Sequence, residues 1–464
     1  MTNRFVNREK ELEYLTRVYK EQTSSLIVLY GRRRIGKTTL IKEFIKDKTA
    51  LYLIATEESE KENKKNFQWA LSDLTQNSLL KKAVDLEWDD IFLQFKSYQP
   101  KGKKILVIDE FQYLGRANKG FPSVFQKIWD EILVNDDVMV ILCGSLVSMM
   151  IKQTLSYSSP LYGRRTGQIR LKQIGYKDYG TFFEKTDKIN LIEYYSVTGG
   201  VPKYIELFNP MDNIFQAIEN YILLRQSFLY EEPVFLLEKE VGSIGTYFSI
   251  IKSIAAGNHK IGRIASDLGI KQSGATRYLK TLIELDILER IVPVTEKNPE
   301  KSKMGLYLIR DNFIKFWFRF VYPYRNYLEL ENTGYVLEIL KQNFYDNHVS
   351  YVFEDICREK VMDLDIQRQL GISLSKVGKW WDKNSEIDIV GISEGFKDIF
   401  FGECKYTRAK VDAGVYFNLK EKAQKVNYPP GVEKHFAVFS KSGFTQRMKD
   451  LKEQDSQLYL FQVL

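Results

Sequence analysis

Gly31-Arg32-Arg33-Arg34-Ile35-Gly36-Lys37-Thr38 follows directly on the apolar run Leu26 to Tyr30. Glycines at 31 and 36 let main-chain N–H groups turn inward and approach an anion closely. Lys37 adds a point charge, and Thr38 offers a hydroxyl to a hard cation. Arg34 and Thr39 belong to the same cradle, and the helix expected from Thr39 to Lys46 adds its positive end. This order of strand, loop and helix predicts a polyphosphate site, with ATP or ADP as ligand and Mg²⁺ as counter-ion.

A second landmark completes that chemistry. Ile105 to Ile108 read as a buried parallel strand ending in Asp109-Glu110, where open α/β sheets bind ligands. Asp109 is expected to hold hydrated Mg²⁺ and Glu110 to polarise the attacking water, as a hydrolase requires. Ser145 follows the strand Val138 to Leu142 and reads either as a sensor of the γ-phosphate or as a helix N-cap. Arg164 and Arg165 share the loop Pro160 to Arg165. They either complete a phosphate site, in their own chain or in an adjacent copy of a homo-oligomer, or remain solvated surface charges.

A third cluster lies in the last quarter of the chain. Lys376 to Trp381, Ser385 to Ile392 and Ile399 to Lys405 have strand character. Alternation places Glu403 and Lys405 on one strand face, and a short turn brings Asp388 back beside them. Asp388 and Glu403 are hard oxygen ligands suited to Mg²⁺. Lys405 can orient water or steady charge on a scissile phosphate, and Glu354 can reach the cluster from the amphipathic segment Val349 to Val361. The plainer alternative is a set of ordinary polar residues on exposed strands.

Elements that must position these groups follow from periodicity. Leu26 to Tyr30, Ala50 to Ile54, Ile105 to Ile108, Val138 to Leu142 and Ile169 to Leu171 predict a parallel sheet covered by helices. Ile261, Ile264, Ala265 and Leu268 recur at helical spacing, and Gly269-Ile270 breaks the run before a second helix starting at Ser273. Ile287 to Val294 and Met304 to Ile309 then make a β wing. The outward residues Ser273, Thr276, Arg277 and Lys280 suit DNA phosphates, although such modules also serve as lids or docking surfaces. The aromatic run Phe313 to Tyr324 reads as a buried inter-domain helix rather than a base-stacking platform. The expected division is 1–240, 241–325 and 326–464.

Composition narrows the field further. A chain of 464 residues has length for two to four domains, and 44% hydrophobic with 14% aromatic content argues for folding throughout. A net charge of +8 suits a polyanion but is also compatible with ordinary solubilising charge. Cys143, Cys357 and Cys404 show no paired spacing, which fits a reducing compartment. His259, His348 and His435 are far apart in sequence, which argues against a His-rich metal site. Without a signal-peptide core or an 18-residue apolar run, a cytoplasmic protein with no membrane partner is expected.

The first half resembles the archaeal-type ATPases, within the AAA+ and STAND group of P-loop NTPases. Phe5-Val6-Asn7-Arg8-Glu9 is similar to that family's N-terminal signature, which implies that Arg8 lies near the adenine. Thr198-Gly199-Gly200-Val201-Pro202 is similar to its Gly-x-Pro element, which implies nucleotide contact by Pro202. Glu354, Asp388, Glu403 and Lys405 resemble the PD-(D/E)xK nuclease motif, with Ile387 in place of its proline. The implied fold is α/β: a P-loop sheet with a helical lid, a winged helix-turn-helix, then a small endonuclease-like α/β domain. The implied function is Mg²⁺-dependent ATP hydrolysis coupled to DNA binding and cleavage. The alternative is a nucleotide-controlled switch or transcription regulator whose last domain only docks DNA or protein.

Overall fold

The computed structural model describes residues 6–183, 190–209, 211 and 213–463, so Phe5 of the N-terminal signature lies outside the described residues. Two compact units emerge: Met1–Phe182 with Gly200–Glu206 and Val234–Gly242, and Phe183–Gly199 with Leu207–Pro233 and Ser243–Leu464.

In the first unit, β1 (Ser25–Tyr30), β2 (Ala50–Ile54), β3 (Lys104–Asp109), β4 (Val138–Gly144) and β5 (Gly167–Arg170) form one sheet in the order β2-β3-β4-β1-β5. All its pairings are parallel. β1, β3 and β4 are buried along their whole length, which explains their continuous aliphatic runs rather than alternation. Ile27, Leu29, Ile41, Phe44, Val107 and Ile141 pack into the core beneath the helix Lys37–Ile45.

The second unit holds the helices Ile261–Asp267 and Gln272–Glu284, followed by the antiparallel hairpin of β6 (Leu288–Ile291) and β7 (Leu306–Ile309). Ala275, Leu279 and Leu282 are buried, whereas Ser273, Thr276, Arg277 and Lys280 are exposed. The hairpin strands are shorter than the sequence predicts. After β6 the chain leaves the hairpin, and the Val294 N–H donates to the Lys379 carbonyl at 2.9 Å. This ties the segment after the hairpin's first strand to a second sheet. That sheet comprises β8 (Leu374–Trp381), β9 (Glu386–Ser393), β10 (Asp398–Lys405), β11 (Glu433–Ser440) and β12 (Leu458–Gln462), in the order β12-β11-β10-β9-β8. β8, β9 and β10 pair antiparallel, and β10, β11 and β12 parallel. Helix Gly414–Ala423 covers one face through Tyr416 and Leu419, packed with Ile399, Phe401, Phe436 and Val438.

Segments Phe183–Gly199 and Leu207–Pro233 belong with the C-terminal unit although they precede residue 240. The reason is hydrogen bonding as well as packing. Trp317 Nε1 donates to the Tyr230 carbonyl at 2.7 Å, Asn312 Nδ2 to the Tyr195 carbonyl at 3.3 Å, and His348 Nε2 lies 2.7 Å from the Ser196 carbonyl. Phe313, Phe316, Trp317, Phe318 and Phe320 are buried on helix Asn312–Phe320, so this aromatic run is core.

Candidate functional site

The loop between β1 and helix Lys37–Ile45 needs glycine at both ends. A Cβ on Gly31 would lie 2.3 Å from the Leu171 carbonyl oxygen, and Gly36 takes a φ of 89°, in the left-handed region. Arg34 also turns left-handed, with φ 67°. Lys37 Nζ donates to the carbonyls of Gly31 at 2.9 Å and Arg32 at 2.8 Å, which bends the ammonium back over the loop. Burial lowers its pKa, while the charges of Cys143, Glu110, Asp109 and Glu240 act in the opposite sense. Thr39 follows Thr38 in the first turn of the helix and is exposed.

Thr38 Oγ1 donates to Asp109 Oδ2 at 3.2 Å, and Tyr52 donates its hydroxyl proton to the same oxygen. The other Asp109 oxygen accepts the Glu110 N–H at 2.9 Å. Glu110 takes a φ of 54°, and its Oε2 accepts from Ser145 Oγ at 2.7 Å and Ser145 N at 3.1 Å. The Gln112 side-chain amide donates to that same oxygen. Thus Thr38, Asp109, Glu110 and Ser145 form one hydrogen-bonded chain from the helix after β1 to the ends of β3 and β4, while Lys37 bonds only to its own loop.

Ser145 does not act as an N-cap. The N-cap of helix Val147–Met150 is Leu146, and the Glu240 carboxylate instead accepts the N–H groups of Val147 at 3.1 Å and Ser148 at 3.4 Å. Tyr52, Gln112 and Glu240 were not legible as site residues. Glu240 is 93 residues from Val147, in the segment it anchors, and no motif marks it.

Arg8 is buried, with Nη2 3.2 Å from the Ile35 carbonyl and 2.6 Å from the Lys172 carbonyl. It therefore braces the loop's main chain. Pro202 also faces the loop: its Cγ is 3.9 Å from where a Cβ on Gly36 would stand. Arg164 and Arg165 are engaged elsewhere. Arg164 makes a two-pronged contact with Asp130, at 3.3 and 3.1 Å, while Arg165 donates to the Tyr162 carbonyl at 3.0 Å and stacks over that ring.

In the second unit Asp388, Glu403, Lys405 and Glu354 lie in one electrostatic cluster. Asp388 Oδ2 accepts the Cys404 N–H at 2.8 Å across the β9–β10 pairing. Burial, reinforced by the charges of Glu354 and Glu403, pushes Asp388 up to about 7. Glu354, on helix Ser350–Val361, is raised by burial against the opposing pull of Lys379, which pairs with it. Lys405 Nζ lies 2.9 Å from Glu403 Oε1, and Lys422 Nζ lies 3.0 Å from both Glu403 oxygens. Burial works to lower Lys405, but Glu403 outweighs it and holds the pKa up. Lys379 and Lys422 complete a site of three carboxylates and three ammoniums. Neither was legible, because Lys379 lies on a strand without a motif and Lys422 on a helix 19 residues beyond Glu403.

No helix among the described residues is long and apolar enough to cross a membrane. Cys143, Cys357 and Cys404 are free and buried.

Residues 5–208 match a family model described as an ATPase domain predominantly from Archaea, and residues 317–421 match one for archaeal and bacterial proteins of unknown function. An uncharacterized protein of Methanocaldococcus jannaschii is 35% identical over 440 residues, covering 94% of this chain and 95% of the relative. An uncharacterized ATP-binding protein of the same organism is 59% identical over 44 residues, covering 10% of this chain and 75% of that protein. Among solved structures, a Walker-type ATPase of Pyrococcus abyssi is similar in fold, with a TM-score of 0.51 at 20% identity. The match covers 68% of this chain and 96% of that one.

Proposed function

The chain belongs to one family with the uncharacterized Methanocaldococcus jannaschii protein and carries an archaeal-type ATPase domain over residues 5–208, and on that premise we propose that it hydrolyses ATP with Mg²⁺, binds DNA and cleaves it through its C-terminal sheet domain. The observation that carries the cleavage reading is the convergence of Asp388, Glu403 and Lys405 with Glu354 at one end of β9 and β10.

For the ATPase step, Thr38 and Asp109 would hold Mg²⁺, since their oxygens already meet at 3.2 Å and both are hard donors. The ion supplies charge neutralisation on the phosphates. Lys37 grips the polyphosphate, Glu110 orients the attacking water, and Ser145 fixes the Glu110 carboxylate. Arg8 and Pro202 shape the loop around the nucleotide, and Arg34 and Thr39 border it. Arg164 and Arg165 act in an adjacent copy if the chain assembles as a homo-oligomer.

For the cleavage step, Asp388 and Glu403 fit Mg²⁺ as an oxygen donor pair, with Glu354 beside them. The ion supplies Lewis-acid polarisation of a phosphodiester. Lys405 orients the water, and the arrangement resembles the PD-(D/E)xK nucleases. The exposed Ser273, Thr276, Arg277 and Lys280 on helix Gln272–Glu284 serve as DNA contacts of a winged helix.

A second reading has its own support. Lys379 and Lys422 neutralise Glu354 and Glu403, as they would in a non-catalytic domain that docks DNA or protein under nucleotide control. A cleavage assay separates the two, using Mg²⁺ or Mn²⁺, with and without ATP, on single- and double-stranded DNA. Cleavage that Asp388→Ala and Lys405→Ala abolish while ATP turnover persists supports the nuclease. Absence of cleavage under every condition supports the switch.

A further inference from the structure

β10 and β11 start side by side, with Asp398 opposite Glu433 and Phe400 opposite His435. Alternation therefore puts Asp398, Glu433 and His435 on one sheet face. This face is opposite the one that carries Phe401 and Phe436 beneath helix Gly414–Ala423. One donor atom from each of the three lies within 4.8 Å of the others.

His435 Nε2 is 3.1 Å from Asp398 Oδ1, and the histidine side chain is only 8% exposed. The backbones that carry the carboxylates are pinned as well. Asp398 N–H donates to Ser393 Oγ at 2.7 Å, and Glu433 N–H donates to the Lys397 carbonyl at 3.0 Å. The Tyr459 ring flanks the imidazole.

We propose that Asp398, Glu433 and His435 form a binding site for a divalent first-row transition ion, with Zn²⁺ the best match. A histidine paired with an aspartate needs only two groups. Here a donor atom of the second carboxylate, Glu433, also comes within 4.8 Å of the other two, close enough for a divalent ion to draw all three together. One nitrogen with two oxygens suits Zn²⁺ rather than Mg²⁺, and three protein ligands leave a fourth tetrahedral position for water. The site would staple the β9–β10 turn to the start of β11. Glu403 lies five positions beyond Asp398, roughly 16 Å along the strand. The ion is therefore distinct from any held by Asp388 and Glu403, and this inference stands whether or not the domain cleaves DNA.

The test uses the full chain carrying Asp388→Asn and Glu403→Gln, stripped with chelator and titrated with Zn²⁺ by calorimetry and with Co²⁺ by visible absorption. One equivalent is expected to bind, with a Co²⁺ spectrum indicating nitrogen ligation. His435→Gln in that background is expected to abolish the nitrogen signature and weaken binding by roughly tenfold or more. Glu433→Gln alters an exposed side chain and keeps the test informative if the histidine variant misfolds; it is also expected to weaken binding. A parent that takes up no Zn²⁺, or a folded variant that binds as tightly as the parent, overturns the site.

Discussion

Ser145 donates twice to one oxygen of Glu110, through its hydroxyl at 2.7 Å and its main-chain N–H at 3.1 Å. The Gln112 amide donates to that oxygen too, so Oε2 is saturated, and on the proposed function Oε1 is the oxygen that orients water. Glu110→Gln keeps the shape but loses the charge. It is expected to bind ATP normally and to lower turnover by about a hundredfold or more. Ser145→Ala, which loosens the carboxylate without removing it, is expected to lower turnover less. Phosphate release measured beside a nucleotide titration checks both. Normal turnover in Glu110→Gln would reassign the water-positioning role.

Lys37 reaches back to the Gly31 and Arg32 carbonyls, so its ammonium is buried within the loop that it serves. Lys37→Met retains most of the aliphatic packing. It is expected to melt near the parent temperature but to lose the upward shift that ADP or ATP with Mg²⁺ gives the parent, since a ligand stabilises only the state that it binds. An undiminished shift would mean that the nucleotide sits elsewhere.

The phosphate-loop site and the Asp388–Glu403 cluster differ in how openly the sequence declares them. The phosphate loop is legible because main-chain geometry dictates residue type: Gly36 holds a φ of 89° and Gly31 has no room for a Cβ. The strand tip Asp109-Glu110 follows four aliphatics, so its position needs no tertiary knowledge. Glu240 and Lys422 act across long sequence separations, and surface lysines and glutamates look the same in a sequence whether or not they are paired. β11 and β12 escape notice for a related reason. They join the sheet through parallel pairing after intervening helices, so no hairpin turn advertises them. That segments Phe183–Gly199 and Leu207–Pro233 group with the C-terminal unit is likewise invisible in sequence, because their partners, Asn312, Trp317 and His348, lie far downstream.

His348 is completely buried among Phe316, Phe320 and Phe344, with Nε2 on the Ser196 carbonyl. Burial pushes its pKa down to about 3. Between pH 6.5 and that value the unfolded chain takes up a proton that the folded chain refuses, so stability falls as pH drops. The limiting slope is about 1.4 kcal/mol per pH unit for one proton. His348→Phe removes the titrating group, although it gives up the carbonyl contact. Its urea midpoint is expected to fall less than the parent's between pH 7 and pH 5, and parallel curves would refute the assignment.

Asp388 works in the opposite direction. Its carboxyl is pushed up to about 7 by burial and by Glu354 and Glu403, against an ordinary value of 3.8. From pH 4 to 7 the folded chain holds a proton that the unfolded chain has released, so this group's contribution to stability is present in acid and is lost as pH rises through 7. Asp388→Asn keeps a side-chain oxygen to accept the Cys404 N–H at 2.8 Å in the parent, while removing the charge. Taking the difference between variant and parent cancels the effect of His348, which both share. That difference in unfolding free energy is expected to shift in favour of the asparagine variant between pH 5 and pH 8. An equal difference at both pH values would mean that Asp388 is already ionised at pH 5, with Lys379, Lys405 and Lys422 together outweighing its burial.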